Sequence, residues 1–392
     1  MATVIVVGAG VNGVTTGIEL RKRGHKVSLI DPGPLPHPLA ASTDISKAVR
    51  AAYGADQDYT ALAERSIKLW RDWNKEFGLE LYHEVGVMWV RQREMKPGDF
   101  EYESLKILEQ RGHKIERMNS ARMWRRFPAW NPELYQDGIL ELEAGYAESD
   151  RVVATLIERA KSLGIELREG ARFSELDEGD DRVKGIVLDN GERISGDVVV
   201  VAVGAWTPYV LPFTRKFFRA TGQPVFHLKP RQPELFAPEY FPVFGADIST
   251  TGYYGFPLSR EGVVKIANHG SGREMSPESP NRAVIPEEQE NLREFLSSTF
   301  PALADATIVY TRICLYCDTN DGHFWIAPDP ARPGLIVATG DSGHGFKFAP
   351  VLGEIIADAV EEKSNPLLQK FRWRPEVGAG GQKEAARFDP DL

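Results

Sequence analysis

One stretch constrains this chain more than any other: Val4-Ile5-Val6-Val7 runs straight into Gly8-Ala9-Gly10-Val11-Asn12-Gly13. An apolar run, glycines at GxGxxG spacing, an apolar-periodic segment from Val14 to Leu20 ahead of Gly24, and a second run from Lys26 to Asp31 read as strand, turn, helix and strand. In such a unit Gly8 permits the tight turn, Gly10 lets the backbone approach a pyrophosphate, and Gly13 lets the helix pack closely on the strand. The helix N-terminus attracts the negative charge. Asp31 closes the second strand, where a carboxylate can accept from ribose hydroxyls and would repel a 2′-phosphate. The context predicts dinucleotide binding, with FAD and NAD both open.

With 392 residues, 42% of them hydrophobic, the chain can bury the cores of two domains. Its 47 basic and 56 acidic residues give a net charge of -9 with no long basic run, which argues against nucleic acid and anionic lipid as partners. The two cysteines, Cys314 and Cys317, are too few for a disulfide framework or a four-thiolate zinc site, and they fit a reducing compartment. The histidines show no metal-ligand pattern, so no metal is expected. Val4 follows no basic leader, and the apolar stretch Val198 to Phe213 is broken by Gly204 and Pro208, so a cytoplasmic protein without a membrane span is expected.

Further along, Tyr59, Leu62, Ser66, Leu69, Trp70, Trp73 and Phe77 recur at helical spacing from about Asp58, and Leu81 to Val90 reads as a strand. Ser149 or Asp150 is placed to cap a helix that stops at Gly164. Asp189-Asn190-Gly191 signals a hairpin, Asp197 to Val203 and Leu335 to Thr339 read as buried strands, and Pro350 opens a last helix through Val360. Two insertions richer in Pro and aromatics interrupt these pieces, so the expected division is 1–82, 146–217 and 313–375 in one domain and 83–145 with 218–312 in another. The tail 376–392, with Gly378-Ala379-Gly380-Gly381, has little to bury and is expected to be a loose strap or disordered.

Several distant pieces share one resemblance: the glycine loop, Asp44-Ile45-Ser46-Lys47-Ala48-Val49-Arg50-Ala51-Ala52-Tyr53-Gly54, Gly252-Tyr253-Tyr254-Gly255-Phe256-Pro257, Lys265, His269, Arg312-Ile313-Cys314-Leu315-Tyr316 and Gly340-Asp341-Ser342-Gly343-His344-Gly345-Phe346-Lys347. In order and spacing they resemble the monomeric sarcosine oxidase group of FAD-dependent amine oxidases, which also holds pipecolate, N-methyltryptophan and fructosyl-amino-acid oxidases. The resemblance implies an α/β protein: a Rossmann-type FAD-binding domain and an interleaved α+β substrate domain on a mostly antiparallel sheet. It implies a monomer that takes an amino-acid-derived amine with a carboxylate, and molecular oxygen.

By the same resemblance, FAD is held by the glycine loop with Val11, Asn12 and Asp31, by Ser42, Thr43, Lys47, Gly204 and Trp206, and by Gly340, Gly343, Gly345, Phe346 and Lys347. Cys314 matches the cysteine that carries the flavin through a thioether, with Arg312 as the neighbouring cation; packing, or a redox dithiol with Cys317, are the other readings of Cys314. Arg50 and Lys347 match the pair that holds the substrate carboxylate, and Lys265 the lysine that activates oxygen. His269, Tyr254, Tyr316 and His344 match positions lining the pocket. The chain departs from the sarcosine oxidase pattern at Lys47, where an arginine is usual, and the Asp-Ile-Ser-Lys wording leans toward the fructosyl-amino-acid oxidases. Asp247 is read as a solvated loop carboxylate, with contact to a polar substrate tail as the alternative.

Overall fold

The computed structural model describes residues 1–378 and 384–388. Thr3–Val7 lies at the middle of a six-stranded sheet, flanked by Val198–Val201 and Lys26–Asp31, with Leu335–Thr339 and Glu166–Glu169 outside them. These five strands are parallel; the sixth, Trp325–Pro328, runs antiparallel at the edge. Buried on both faces, the strands are continuous Val and Ile runs. The helix Val11–Lys22 makes the crossover expected from the glycine loop. Ala349–Val360 packs against it so closely that a Cβ at Gly353 would lie 2.5 Å from the Thr15 carbonyl oxygen.

The second sheet has nine strands and is antiparallel throughout except where Val243–Ala246 meets Val87–Arg91. Its longest pair joins Phe218–Lys229 to Thr307–Thr319, and this last strand runs unbroken across residue 313. Behind it lies an aromatic core in which Trp130, Phe241, Phe244 and Phe300 meet mostly edge to face.

Most local expectations hold, with four differences. The stretch Leu81 to Val90 is not one strand but two, Tyr82–His83 in a small three-stranded sheet and Val87–Arg91 in the nine-stranded one, separated by the turn at Gly86. The helix Gln57–Phe77 starts one residue before Asp58, capped by Asp56, whose side chain accepts from Tyr59 N. The helix Ser149–Ser162 is capped by neither Ser149 nor Asp150; Glu148 takes that position, and the Ser149 hydroxyl donates instead to the carbonyl of Asp44. The tail buries more than its composition suggests: Ala386 is fully enclosed and Glu384 and Arg387 are buried, although Ala379-Gly380-Gly381 falls outside the described residues. The Asp189-Asn190-Gly191 hairpin is present, with Gly191 alone taking a positive φ, of 85°.

Candidate active site

At the C-terminal ends of the parallel strands a cleft is lined by Gly8, Gly10, Val11, Asn12, Asp31, Ser42, Gly204 and Trp206. A Cβ on Gly13 would sit 1.8 Å from the Gly8 carbonyl oxygen, so this glycine is what lets helix and loop touch. Gly10 is different: its Cβ would meet nothing nearer than Ser42 Oγ at 3.6 Å, and would project into open space. Asp31 accepts from Ala9 N and Gly33 N, both at 2.8 Å, so the carboxylate expected to meet a ribose also ties down the loop. Asn12 Oδ1 and Thr43 Oγ1 are buried without partners. An open glycine at a helix N-terminus suits the diphosphate of a dinucleotide, while Asn12 Oδ1, an acceptor, would be satisfied by a donor such as a ribose hydroxyl.

Strand register explains how remote residues meet the end of this cleft. Cys314 lies opposite Gln223, Tyr316 opposite Thr221, Lys265 opposite His227, and Tyr254 opposite Ala267, which itself faces Val225. Residues paired across strands share a face, and positions two apart along Phe218–Lys229 share it too. Tyr254, Lys265, Cys314 and Tyr316 therefore project to one side, and His269, four residues after Lys265, continues the alternation. Cys317 is an odd number of residues from Cys314 and points the other way, where Thr339 Oγ1 donates to its sulfur at 3.3 Å and burial pushes its thiol up to about 12. Both cysteines are free. The dithiol reading of Cys-Leu-Tyr-Cys is therefore excluded by strand geometry.

The cations around Cys314 also differ from expectation. Arg312 donates to the carbonyls of Thr43, Ala40 and Pro38, while Lys47 Nζ donates to Cys314 Sγ at 3.5 Å. Burial alone would lower the Lys47 pKa; Cys314 and Asp44 overcome it and hold it above the ordinary lysine range. Lys265, 1% exposed, pairs with Asp44 Oδ2 at 2.7 Å and donates to the Ser46 carbonyl. Its desolvation outweighs Asp44 and brings its pKa down to about 8. Asp44 is a central site residue to which sequence reasoning assigned no role, although it opens the run carrying Lys47 and Arg50.

A second cavity of about 70 Å³ is bordered by Lys47, Arg50, Trp89, Tyr254, His269, Tyr316, Gly343, His344, Phe346 and Lys347. Gly343 has no Cβ because one would lie 2.1 Å from the Tyr316 ring. Gly340 and Gly345 face Thr319 and Asp341 instead. The helix Gln57–Phe77 fixes Lys347 by its backbone: Ser66 Oγ and Trp70 Nε1 both donate to the Lys347 carbonyl. Lys347 Nζ donates to Tyr53 OH at 2.9 Å and the His344 carbonyl at 2.7 Å, and no carboxylate pairs with it among the described residues. Tyr53 OH lies 3.1 Å from His344 Nδ1, and His344 Nε2 lies 3.0 Å from the Gly322 carbonyl, which only a donor can satisfy. His344 is thus a neutral link, its pKa held well below the ordinary value by burial. Tyr53, like Asp44, lies in the same motif without having been given a role.

The expected carboxylate pair of Arg50 and Lys347 is only half available. Arg50 Nη2 donates to Glu384 Oε1 at 2.6 Å, and its guanidinium is 4.4 Å from the centre of the Tyr53 ring. Glu384 Oε2 accepts from His269 Nε2 at 3.0 Å, leaving His269 Nδ1 to accept from Tyr316 OH at 3.2 Å. Burial lowers the His269 pKa despite Glu384, so the ring is neutral with both nitrogens engaged. No local sequence signal pointed to Glu384. Asp247 is neither a solvated carboxylate nor a substrate contact: it is buried and paired with Arg91 at 2.8 Å.

The FAD-dependent oxidoreductase (DAO) family model matches residues 3–359. This chain belongs to that family. It is 29% identical over 359 residues to monomeric sarcosine oxidase of Bacillus sp. (strain B-0618), covering 90% of each chain. It is 27% identical over 418 residues to L-saccharopine oxidase of Schizosaccharomyces pombe, covering 97% of this chain and 95% of that one. Among solved structures, fructosamine oxidase (Amadoriase II) from Aspergillus fumigatus superposes with a TM-score of 0.85 at 23% identity, over 99% of this chain and 93% of the other. That likeness confirms the fold: a Rossmann-type FAD-binding domain joined to a mostly antiparallel sheet. The chain is an FAD-dependent oxidoreductase, and the cleft, with its glycine loop at a helix N-terminus and with Asp31, suits that cofactor.

Proposed function

We propose that this FAD-dependent oxidoreductase oxidises the secondary amine of an N-alkyl, cyclic or glycated amino acid, with oxygen as the electron acceptor and hydrogen peroxide as a product. FAD, when bound, supplies the acceptor for hydride from the carbon beside the amine nitrogen. The observation that carries the reading is the single sheet face bearing Tyr254, Lys265, Cys314 and Tyr316, set against a cavity in which the Lys347 amine is buried with no carboxylate partner among the described residues. Burial and Arg50 hold its pKa well below the ordinary value, so a substrate carboxylate is what would charge it. Lys347 binds the substrate carboxylate and orients the amine. The aromatic walls Trp89, Tyr254 and Tyr316 exclude water. With both histidines fully hydrogen-bonded, no side chain is assigned as general base; the pocket cations disfavour the ammonium form of the substrate and release its proton. The imine product is hydrolysed by water when acyclic.

Lys265, desolvated and held by Asp44, places a positive charge where oxygen is reduced. Cys314 is the residue that would hold the flavin covalently, as a thioether through its sulfur. Lys47 is the cation that favours the attacking thiolate. The domain division at 1–82, 146–217 and 313–375 against 83–145 and 218–312 belongs to this proposal, as do a cytoplasmic, monomeric state and the N-terminus of Ala349–Val360 stabilising the reduced cofactor.

Flavin bleaching under argon tests the reading, with sarcosine, L-pipecolate, L-proline, N-methyltryptophan, saccharopine and fructosyl-amino acids as candidates. At least one should bleach the flavin, and admitting air should restore the colour and yield peroxide. Bleaching that air does not reverse, with a quinone restoring colour instead, would make the protein a dehydrogenase. No bleaching by any secondary amine would overturn the proposal.

A further inference from the structure

Four cations serve this site, and three have carboxylate partners. Lys265 and Lys47 share Asp44, and Arg50 has Glu384. Glu384 belongs to the segment 384–388, which packs behind the pocket lining and is bonded to two of its residues, Arg50 and His269. Arg387 pairs with both oxygens of Asp318 and donates from Nε to the Gly270 carbonyl at 2.9 Å, while Phe388 N donates to the His269 carbonyl at 3.0 Å. Ala386 is fully buried behind them.

We infer that Glu384 is a specificity-determining residue: a resident carboxylate on the anion position of Arg50, which leaves Lys347 to read the substrate carboxylate and selects amines carrying one carboxylate over those carrying two. The inference rests on the cavity being the amine site proposed above. An incoming anion would have to break a buried ion pair to reach Arg50, and breaking such a pair strands a charge away from water. A second carboxylate on the ligand would also meet the negative charge of Glu384 behind Arg50, a side chain 4% exposed and kept ionised by Arg50 and His269 despite burial. Exclusion by an unpaired like charge is a direct route to specificity. The two oxygens of Glu384 are divided between Arg50 and His269, so the same residue also fixes the orientation of the His269 ring, with the proton on Nε2.

The test uses the FAD-loaded protein titrated with acetate and with malonate, followed by flavin absorption and by tryptophan fluorescence, since Trp89 lines the cavity with Arg50 5.2 Å from its ring. The wild type should bind acetate in preference to malonate, and Lys347→Met should abolish acetate binding. Glu384→Gln keeps the shape but frees Arg50, and should raise malonate affinity relative to acetate by about tenfold, the order expected of one new charge-assisted contact. Glu384→Asp, which retains the charge, should keep the wild-type ratio. An unchanged ratio in Glu384→Gln, or equal loss of affinity for both anions, would reduce Glu384 to a structural support and overturn the inference. A wild type that prefers malonate would overturn it without any variant. If neither anion binds the wild type, the reading of the cavity fails first, and this inference with it.

Discussion

The dinucleotide cleft and the pocket proposed for the amine draw on neighbouring residues, Leu315 beside Tyr316 and Asp341 near Gly343, yet they are made in opposite ways. The cleft works through backbone: glycines set by steric contact, a helix N-terminus, and a carboxylate that ties two amides. The pocket works through buried side-chain charge, with Arg50 held by Glu384 and Lys265 by Asp44, partners far away in the chain. Backbone machinery is local and tolerates changes in distant sequence. A buried charge is viable only if its partner arrives, so the pocket depends on the whole fold.

The contrast is sharpest at two glycines of one loop. Gly13→Ala drives a Cβ into the Gly8 carbonyl and should yield little folded, yellow protein. Gly10→Ala finds open space, so it should fold with a near-normal melting temperature yet retain less FAD on dialysis. Equal loss of fold in both would break the distinction between packing and ligand-approach glycines.

In the pocket, Lys265→Met should slow reoxidation by oxygen about 100-fold or more while sparing anaerobic reduction. It also removes the nearest partner of Asp44, leaving Lys47 at 3.9 Å, at a cost of up to about 3 kcal/mol in stability. Adding Asp44→Asn should recover most of the melting temperature without the rate, separating the structural from the electrostatic role. The ammonium of Lys265 is present below its pKa and lost above it, so reoxidation in the wild type should fall as pH rises through about 8. A flat profile in rapid mixing would remove Lys265 from that role.

Smaller effects are expected at the cysteines. Acid precipitation should give a yellow pellet from the wild type and a colourless one from Cys314→Ser, with Lys47→Met slowing the appearance of colour in the pellet. Cys317→Ala faces the opposite side of the sheet and should leave the pellet yellow, costing about 1 kcal/mol for the lost Thr339 contact.

The first strand, the glycine loop, its helix and Asp31 were legible because each is specified by residues within a few positions of one another. So were the Asn190-Gly191 hairpin and the helix opened at Pro350, where turn and capping chemistry is local. The run from Asp44 to Gly54 was legible as a unit, but the work of Asp44 and Tyr53 within it was not. Their partners, Lys265 and Lys347, are brought by other strands and loops. The cap at Ser149 failed for the same reason: the hydroxyl that propensity assigns to the helix end is taken by a carbonyl across the fold. The tail misled most, since low hydrophobicity hid a segment anchored by the Arg387–Asp318 ion pair and not by apolar burial.

By itself, then, the sequence determined the dinucleotide fold, its glycine loop and Asp31, and the local turns and helix starts, because steric and periodic rules act over short stretches of backbone. Only the tertiary structure decided which cation meets which anion: Lys47 and not Arg312 against the sulfur, Glu384 on Arg50, and Lys347 left without a carboxylate. Charge pairing is a matter of a few ångströms between residues hundreds of positions apart, and that distance exists only once the chain has folded.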